Sequence, residues 1–324
     1  MKRIIPIFLC LTLLLCLPAA LAGCGTTPTP ADDGSVTVIC TNYAALELTR
    51  GVLETYVSNG GQGRVELSLL GKPGQDMHSF EPTAKDIISL AGADVVVSTG
   101  AESWLEAALQ SSGNRTVRVV SMMEACDVYA AEHDHDHDHD HDHDHGDAGC
   151  AIVDGDEHVW LSLDYATRIV RAINDAVRAV DPENADAWNQ SAEQYNAALT
   201  ALLDEYKDMM KTAVQDTVVV ADRNPFVYLF RDLGVNCVAA FPGCSSETSA
   251  SFETRMKLIE TVKSKGLSYI FIMEGSDGKV AEVVAAETGA HILTLQSLQV
   301  VADGEVTYLE AMRQNLENLK KALQ

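Results

Sequence analysis

Two series of short β-rich runs alternating with amphipathic helical segments, separated by one unbroken helical stretch, constrain this chain more than any other feature. In the first series strand signals fall at 36–40, 65–70, 94–99 and 117–120, with helical periodicity at 46–57, 83–90 and 102–109. The second series has strand signals at 218–221, 235–240, 269–273 and 292–295, with a helix opened by Pro225 and others at 252–263 and 277–288. Asp303-Gly304-Glu305 turns the chain into a closing helix at 308–323. Such alternation makes the strands parallel and covers them with helices. The expected fold class is therefore α/β, with two lobes that are each a mainly parallel sheet flanked by helices. Between them, Asp181-Pro182 opens a helix with proline at its first position, and Trp188, Ala192, Tyr195, Leu199, Leu202, Tyr206, Met209 and Ala213 recur at steps of three and four. At 1.5 Å per residue, roughly thirty residues reach about 45 Å, enough to run along both lobes. One long rigid helix joining the lobes predicts small closing motions, because an uninterrupted hydrogen-bond ladder resists bending.

From His133 to His145, seven histidines alternate with six aspartates. The tract has no apolar face at period 2 or 3.6, so it is expected to be a solvated, disordered loop. His133, His135, His137, His139, His141, His143 and His145 are imidazoles beside carboxylates, a pairing that binds Zn2+, Cu2+ or Ni2+. The tract points to a metal as cargo without locating a specific site.

Lys2 and Arg3 precede an apolar run at 4–21 that ends in Leu21-Ala22-Gly23-Cys24, the layout of a signal peptide. The segment resembles a bacterial lipoprotein signal, which implies lipidation of Cys24, and five segments are expected: this signal with its lipidated cysteine at 1–24, a flexible tether at 25–34, an N-terminal lobe at 35–180, the linker helix at 181–214 and a C-terminal lobe at 215–324. The formal net charge of -24 argues against nucleic acid and is compatible with cationic cargo. Cys126 and Cys150 bracket the His/Asp tract, where a disulfide would pin the base of the loop. Cys40 and Cys237 lie in apolar strand-like runs and are expected in the core.

Ligands of parallel α/β lobes sit at the carboxyl ends of strands. The stretches 74–82, containing His78, and 156–161, containing His158, are placed there, as are Asp222, Glu274 and the loop 241–247 with Cys244 and Glu247. Glu274 could ligate Zn2+ or Mn2+, or pair with Arg223, since a buried arginine needs a carboxylate. A Cys244 thiolate would favour zinc over manganese, whereas a free or disulfide-paired loop cysteine is the plainer alternative. His291, which precedes a strand signal, is expected to be packing or surface.

Pro73-Gly74 with His78-Ser79-Phe80-Glu81-Pro82, the His/Asp loop, His158-Val159-Trp160-Leu161-Ser162, Asp181-Pro182-Glu183-Asn184 and the stretch 308–316 occur in this order across the chain. In this set the chain resembles the zinc and manganese solute-binding lipoproteins of ABC importers. The resemblance implies two α/β lobes, a metal in the cleft, and lipid anchoring of Cys24 outside the cytoplasmic membrane. It also implies a permease as partner and a monomer with no catalytic turnover. His78 and His158 become the two first-lobe ligands, and Glu274 and Cys244 candidates from the second lobe. The second lobe departs from the pattern, because Arg223 stands where a His or Glu ligand is usual and Gln296 where an aspartate is usual. A guanidinium cannot ligate a cation. Two other functions compete. One is a surface metal buffer or adhesin working mainly through the His/Asp loop. The other is a zinc hydrolase, which needs an open coordination site and a general base but finds no His-Glu-x-x-His signature here.

Overall fold

The computed structural model describes residues 35–61, 65–71, 80–128, 155–243, 245, 250–299 and 306–324. In chain order the first half runs β1 (Val36–Cys40), α1 (Tyr43–Ser58), β2 (Val65–Leu69), α2 (Ala84–Ala91), β3 (Val95–Ser98), α3 (Leu105–Ser112), β4 (Arg118–Ser121) and α4 (Met122–Ala125). A 3-10 turn, Val159–Leu161, leads into α5 (Leu163–Val180), and a second, Pro182–Asn184, into α6 (Ala185–Met210). The second half runs β5 (Thr217–Asn224), α7 (Val227–Leu233), β6 (Asn236–Pro242), α8 (Phe252–Lys265), β7 (Tyr269–Met273), α9 (Lys279–Thr288), β8 (His291–Leu295) and α10 (Tyr308–Leu323).

Each half forms a four-stranded sheet with every pairing parallel, in the orders β2-β1-β3-β4 and β6-β5-β7-β8. The two lobes expected from the alternation are therefore present, and they repeat one topology. Strand side chains alternate between faces. In the first sheet Val38, Cys40, Val95 and Val97 face one core while Ile39 and Val96 face another under α2 and α3. In the second sheet Val218, Val220, Phe271 and Met273 face inward, and Val219, Ala221 and Ile270 pack with Leu258, Ile259 and Val284 of α8 and α9. Strands buried on both faces explain the near-continuous Val/Ile runs.

The inward faces of both sheets belong to one continuous hydrophobic cluster. Helix α6 carries its spine. Trp188, Tyr195, Leu199, Leu202, Tyr206 and Met209 are all buried, and Trp188 stacks on Tyr56 of α1 with ring centroids 3.8 Å apart. At 26 residues the helix is about 39 Å long. It starts at Ala185, four residues past the start of the expected linker, after the 3-10 turn Pro182–Asn184, and the Asp181 carboxylate accepts from the Asn184 and Trp188 side chains instead of capping the helix backbone. Helix α5, which the sequence reading passed over, lies against α6 and is strongly amphipathic, with Leu163, Ala166, Ile169, Val170, Ile173 and Val177 buried at helical spacing.

Two cysteine expectations are corrected. Cys126 is a buried free thiol, so the Cys126–Cys150 bridge is not formed; the thiol packs with α5, its sulfur against the Tyr165 carbonyl. Cys237 is disulfide-bonded and only half-buried, near the start of β6, and so is not a core thiol; its partner lies outside the described residues. Cys40 is buried and free as expected, and burial pushes its thiol up to about 12.

Candidate metal centre

His158 is fully buried (0 % exposed). It ends a tight turn that begins at Gly155, whose φ of +85° suits a residue without a Cβ. Asp156 Oδ1 accepts from the His158 backbone N–H and stands 3.0 Å from the ring Nδ1. A carboxylate only accepts, so Nδ1 carries the proton and Nε2 keeps its lone pair. This carboxylate–histidine pair is the usual support of a metal-binding imidazole, fixing both tautomer and ring direction. The second lobe braces the turn: Tyr228 of α7 donates its hydroxyl to the Asp156 carbonyl at 2.8 Å. Trp160 packs edge-on against the imidazole with centroids 5.2 Å apart. Its indole N–H donates to the Ser297 carbonyl at 2.8 Å, and its own carbonyl accepts from Tyr308 of α10.

Two second-lobe residues reach His158. The first is Gly243, just past β6, where a Cβ would stand 2.9 Å from the imidazole Cε1 and 3.0 Å from the Asn224 carbonyl. Only glycine lets this backbone approach the ring. The second is Gln299, whose carboxamide nitrogen hydrogen-bonds His158 Nε2. Gln299 follows a turn after β8 that is fixed from several sides. Asn315 of α10 accepts from the Gln296 N–H and donates to its carbonyl, at 2.7 and 2.9 Å. Leu298 is buried with φ +59°, a left-handed conformation rare for a leucine.

Glu274 follows β7, as expected, at the crevice where the order of the second sheet reverses. Its carboxylate oxygens hydrogen-bond the turn that follows β8. Oε2 accepts from the Ser297 N–H at 2.6 Å, and Oε1 accepts from the Ser297 hydroxyl at 2.6 Å and the Leu298 N–H at 3.0 Å. Among the described residues no ion pair joins it to Arg223. Burial pushes the Glu274 carboxyl above its ordinary range, and the hydrogen bonds from Ser297 and Leu298 pull it partly back. Asp222 is also structural. At the irregularity in the ladder of β5 with β6 it accepts from the Arg223 and Met273 backbone N–H groups, and the second of these bonds ties β5 to β7. His291 lies exposed on β8.

His78, Cys244, Glu247, the His/Asp tract and Cys24 lie outside the described residues. Among the described residues no three His, Cys, Asp or Glu side chains converge on one point. The residues that sequence reasoning missed are Asp156, Gly243, Tyr228 and Gln299. Asp156 left a signal, since a carboxylate two residues before a histidine can fold back as an Asx turn. Gln299 left none.

Residues 48–322 match the family described as zinc-uptake complex component A periplasmic, ZnuA. The chain belongs to the ZnuA family. That family is a transport component and not an enzyme, which removes the hydrolase reading. The zinc-binding protein AdcA of Streptococcus pyogenes serotype M3 is 30% identical over 299 residues, covering 89% of this chain and 56% of AdcA. The chain thus spans about half the length of the AdcA relatives it matches. The high-affinity zinc uptake system protein ZnuA of Bacillus subtilis is 28% identical over 312 residues, 93% of each chain. Among solved structures, the metal-dependent lipoprotein YcdH of Bacillus subtilis superposes with a TM-score of 0.69 at 26% identity, covering 89% of this chain and 99% of YcdH. The Zn(II)-bound ZnuA-like domain of Streptococcus pneumoniae AdcA superposes with a TM-score of 0.68 at 26% identity, covering 90% and 99%. The ZnuA-family fold accounts for the two lobes and the helix between them.

Proposed function

We propose that this chain captures a divalent transition metal, zinc foremost and manganese second, between its lobes and delivers it to the permease of an ABC importer. The observation that supports this most is His158. Asp156 holds Nδ1 of this buried imidazole and so turns Nε2 towards the second lobe. His78 is the second imidazole ligand in this reading, and Cys244 a further donor. Glu274 supports the site from behind through the Ser297–Leu298 turn. The histidines of the 133–145 tract gather ions at the surface, and lipidated Cys24 holds the protein outside the cytoplasmic membrane. An inter-lobe site suits reversible capture, because a small closing movement converts a difference in affinity between two states into uptake or release.

The test is competitive zinc and manganese titration, with metal analysis, of protein lacking residues 133–145. One tight equivalent of zinc that displaces manganese is expected, and it should be lost when both His78 and His158 are replaced by alanine. Tight binding that disappears with the tract alone would instead make the protein a surface metal buffer.

A further inference from the structure

A cavity of about 350 Å3 lies between α1, α6 and the start of α10, and none of its lining residues belongs to the candidate metal centre. Glu47, Gly51, Glu54 and Ser58 recur at steps of three and four, so a single face of α1 forms one wall, about 16 Å long. Tyr195 and Ala198 of α6 stand opposite, with Leu309 of α10 beside them. Glycine inside a 16-residue helix costs roughly 1 kcal/mol relative to alanine. At position 51 it makes room: a Cβ there would stand 2.1 Å from Tyr195 Cζ and 2.5 Å from its hydroxyl oxygen. The phenol therefore lies directly on the α1 backbone. Tyr195 is 7 % exposed, and its hydroxyl, which has no hydrogen-bond partner among the described residues, opens on the cavity. Burial, then the Glu47 and Glu54 carboxylates, push this hydroxyl above its ordinary value. It stays protonated and can both donate and accept.

The charges of the lining decide what could sit there. Glu47 is buried and paired with Arg50 at 2.5 Å, so these two charges offset each other. Glu54, exposed at the mouth, has no ion pair among the described residues and leaves the lining with a net negative charge. A bare divalent ion needs several converging oxygens, and no three His, Cys, Asp or Glu side chains meet among the described residues. An anion would face Glu54 without compensation. A wholly apolar ligand would strip water from the hydroxyl and the carboxylate and return nothing. We propose that this cavity is a binding site separate from the metal centre, taking a small organic ammonium ion whose charged head donates to the Tyr195 hydroxyl oxygen and the Glu54 carboxylate while its aliphatic body lies against the Tyr195 ring, Ala198 and Leu309. The volume falls in the range of small-molecule sites, and the formal net charge of -24 draws cations to the surface.

The test is calorimetric titration of the metal-free full chain with n-hexylammonium chloride, and with 1-hexanol as the neutral molecule of the same shape. Salt at about 0.15 M suppresses diffuse attraction to the acidic surface. One saturable equivalent of hexylammonium is expected, bound about tenfold or more tightly than hexanol. Tyr195→Phe and Glu54→Gln should each weaken it by about five- to tenfold. Tyr195→Phe removes a hydroxyl that bonds no other described residue, so its melting midpoint without ligand should match that of wild type, which separates lost binding from lost folding. Equal affinity for hexanol would overturn the proposal, because charge would then contribute nothing. Unchanged affinity in both variants would place the ion elsewhere on the acidic surface and overturn it too, as would a wild type that takes up no saturable equivalent.

Discussion

Replacing Glu274 by alanine should destabilise the protein by about 4 kcal/mol. The carboxylate accepts three hydrogen bonds, two from backbone N–H groups of Ser297 and Leu298 and one from the Ser297 hydroxyl, which can turn to another acceptor. Alanine leaves the two N–H groups facing a small cavity. A buried donor left without an acceptor costs about 1–3 kcal/mol, so the pair contributes about 2–6. Removing a buried carboxylate returns part of its desolvation cost, which places the expected loss near the middle of that range. In a chain of this size each kcal/mol moves the melting midpoint by about 2–4 °C, so the transition should fall by roughly 10 °C. Urea unfolding followed by circular dichroism gives the same quantity from the midpoint and slope. A loss under about 1 kcal/mol would refute the reasoning, because the turn would then be held without Glu274. The pH dependence supplies an internal check. With its folded-state value raised above the ordinary 4.5, Glu274 keeps a proton that the unfolded chain has already released, so its contribution to stability falls as pH rises from about 4.5 through the raised value. Glu274→Gln cannot titrate, and its stability curve should lack that decline.

Other expectations follow from single contacts. Asp156→Asn keeps an acceptor for His158 Nδ1 but loses the charge, and zinc affinity should drop by about 10- to 100-fold in a chelator competition. Gly243→Ala places a Cβ 2.9 Å from the imidazole and 3.0 and 3.1 Å from backbone atoms of Asn224 and Pro225, which have little room to yield. Urea unfolding should show a loss of about 1–3 kcal/mol, with weakened zinc binding. Burial pushes both Cys40 and Cys126 up to about 12. Their peptides should therefore stay unlabelled by iodoacetamide in the native protein at pH 8 and label fully in denaturant, as peptide mass spectrometry would show.

The strands and most helices were legible because the central strands of each sheet are largely buried on both faces, so that Val95–Ser98 or Tyr269–Met273 reads as an apolar run bounded by turns. Helix α5 escaped for the opposite reason. Its apolar residues are diluted by Arg168, Arg171, Asn174, Asp175 and Arg178, and only its periodicity betrays it. In the candidate site, the histidine of the turn before Val159–Leu161 stood out through its motif, whereas the hydrogen bonds of Glu274 left no trace in the sequence. Its position after a strand suits a ligand and a loop anchor equally, and only the partners of its two oxygens separate them. Gln299 was invisible because its place depends on a left-handed leucine and on Glu274, Trp160 and Asn315, which come from three separate parts of the chain. The cysteine pairing failed because bracketing a loop says nothing about whether two sulfurs meet, and Cys126 is buried against α5.

The single core shared by both sheets also sets the order in which the protein can acquire its structure. Leu316, Leu319 and Leu323 of α10 belong to the same cluster as Val38 and Trp188. The Tyr206 hydroxyl donates to the Met312 carbonyl, Tyr43 reaches the Val306 carbonyl, and the N–H groups of Val214 and Gln215 both donate to the Leu323 carbonyl. A chain emerging amino end first can lay α1 and α5 on the inward face of its first sheet early, but it cannot close the part of the shared core that α10 fills until that last helix has arrived. Completion of the fold is a late event, and a ribosome or protease that stops the chain before Tyr308 leaves the side of α6 around Tyr206 without its α10 cover.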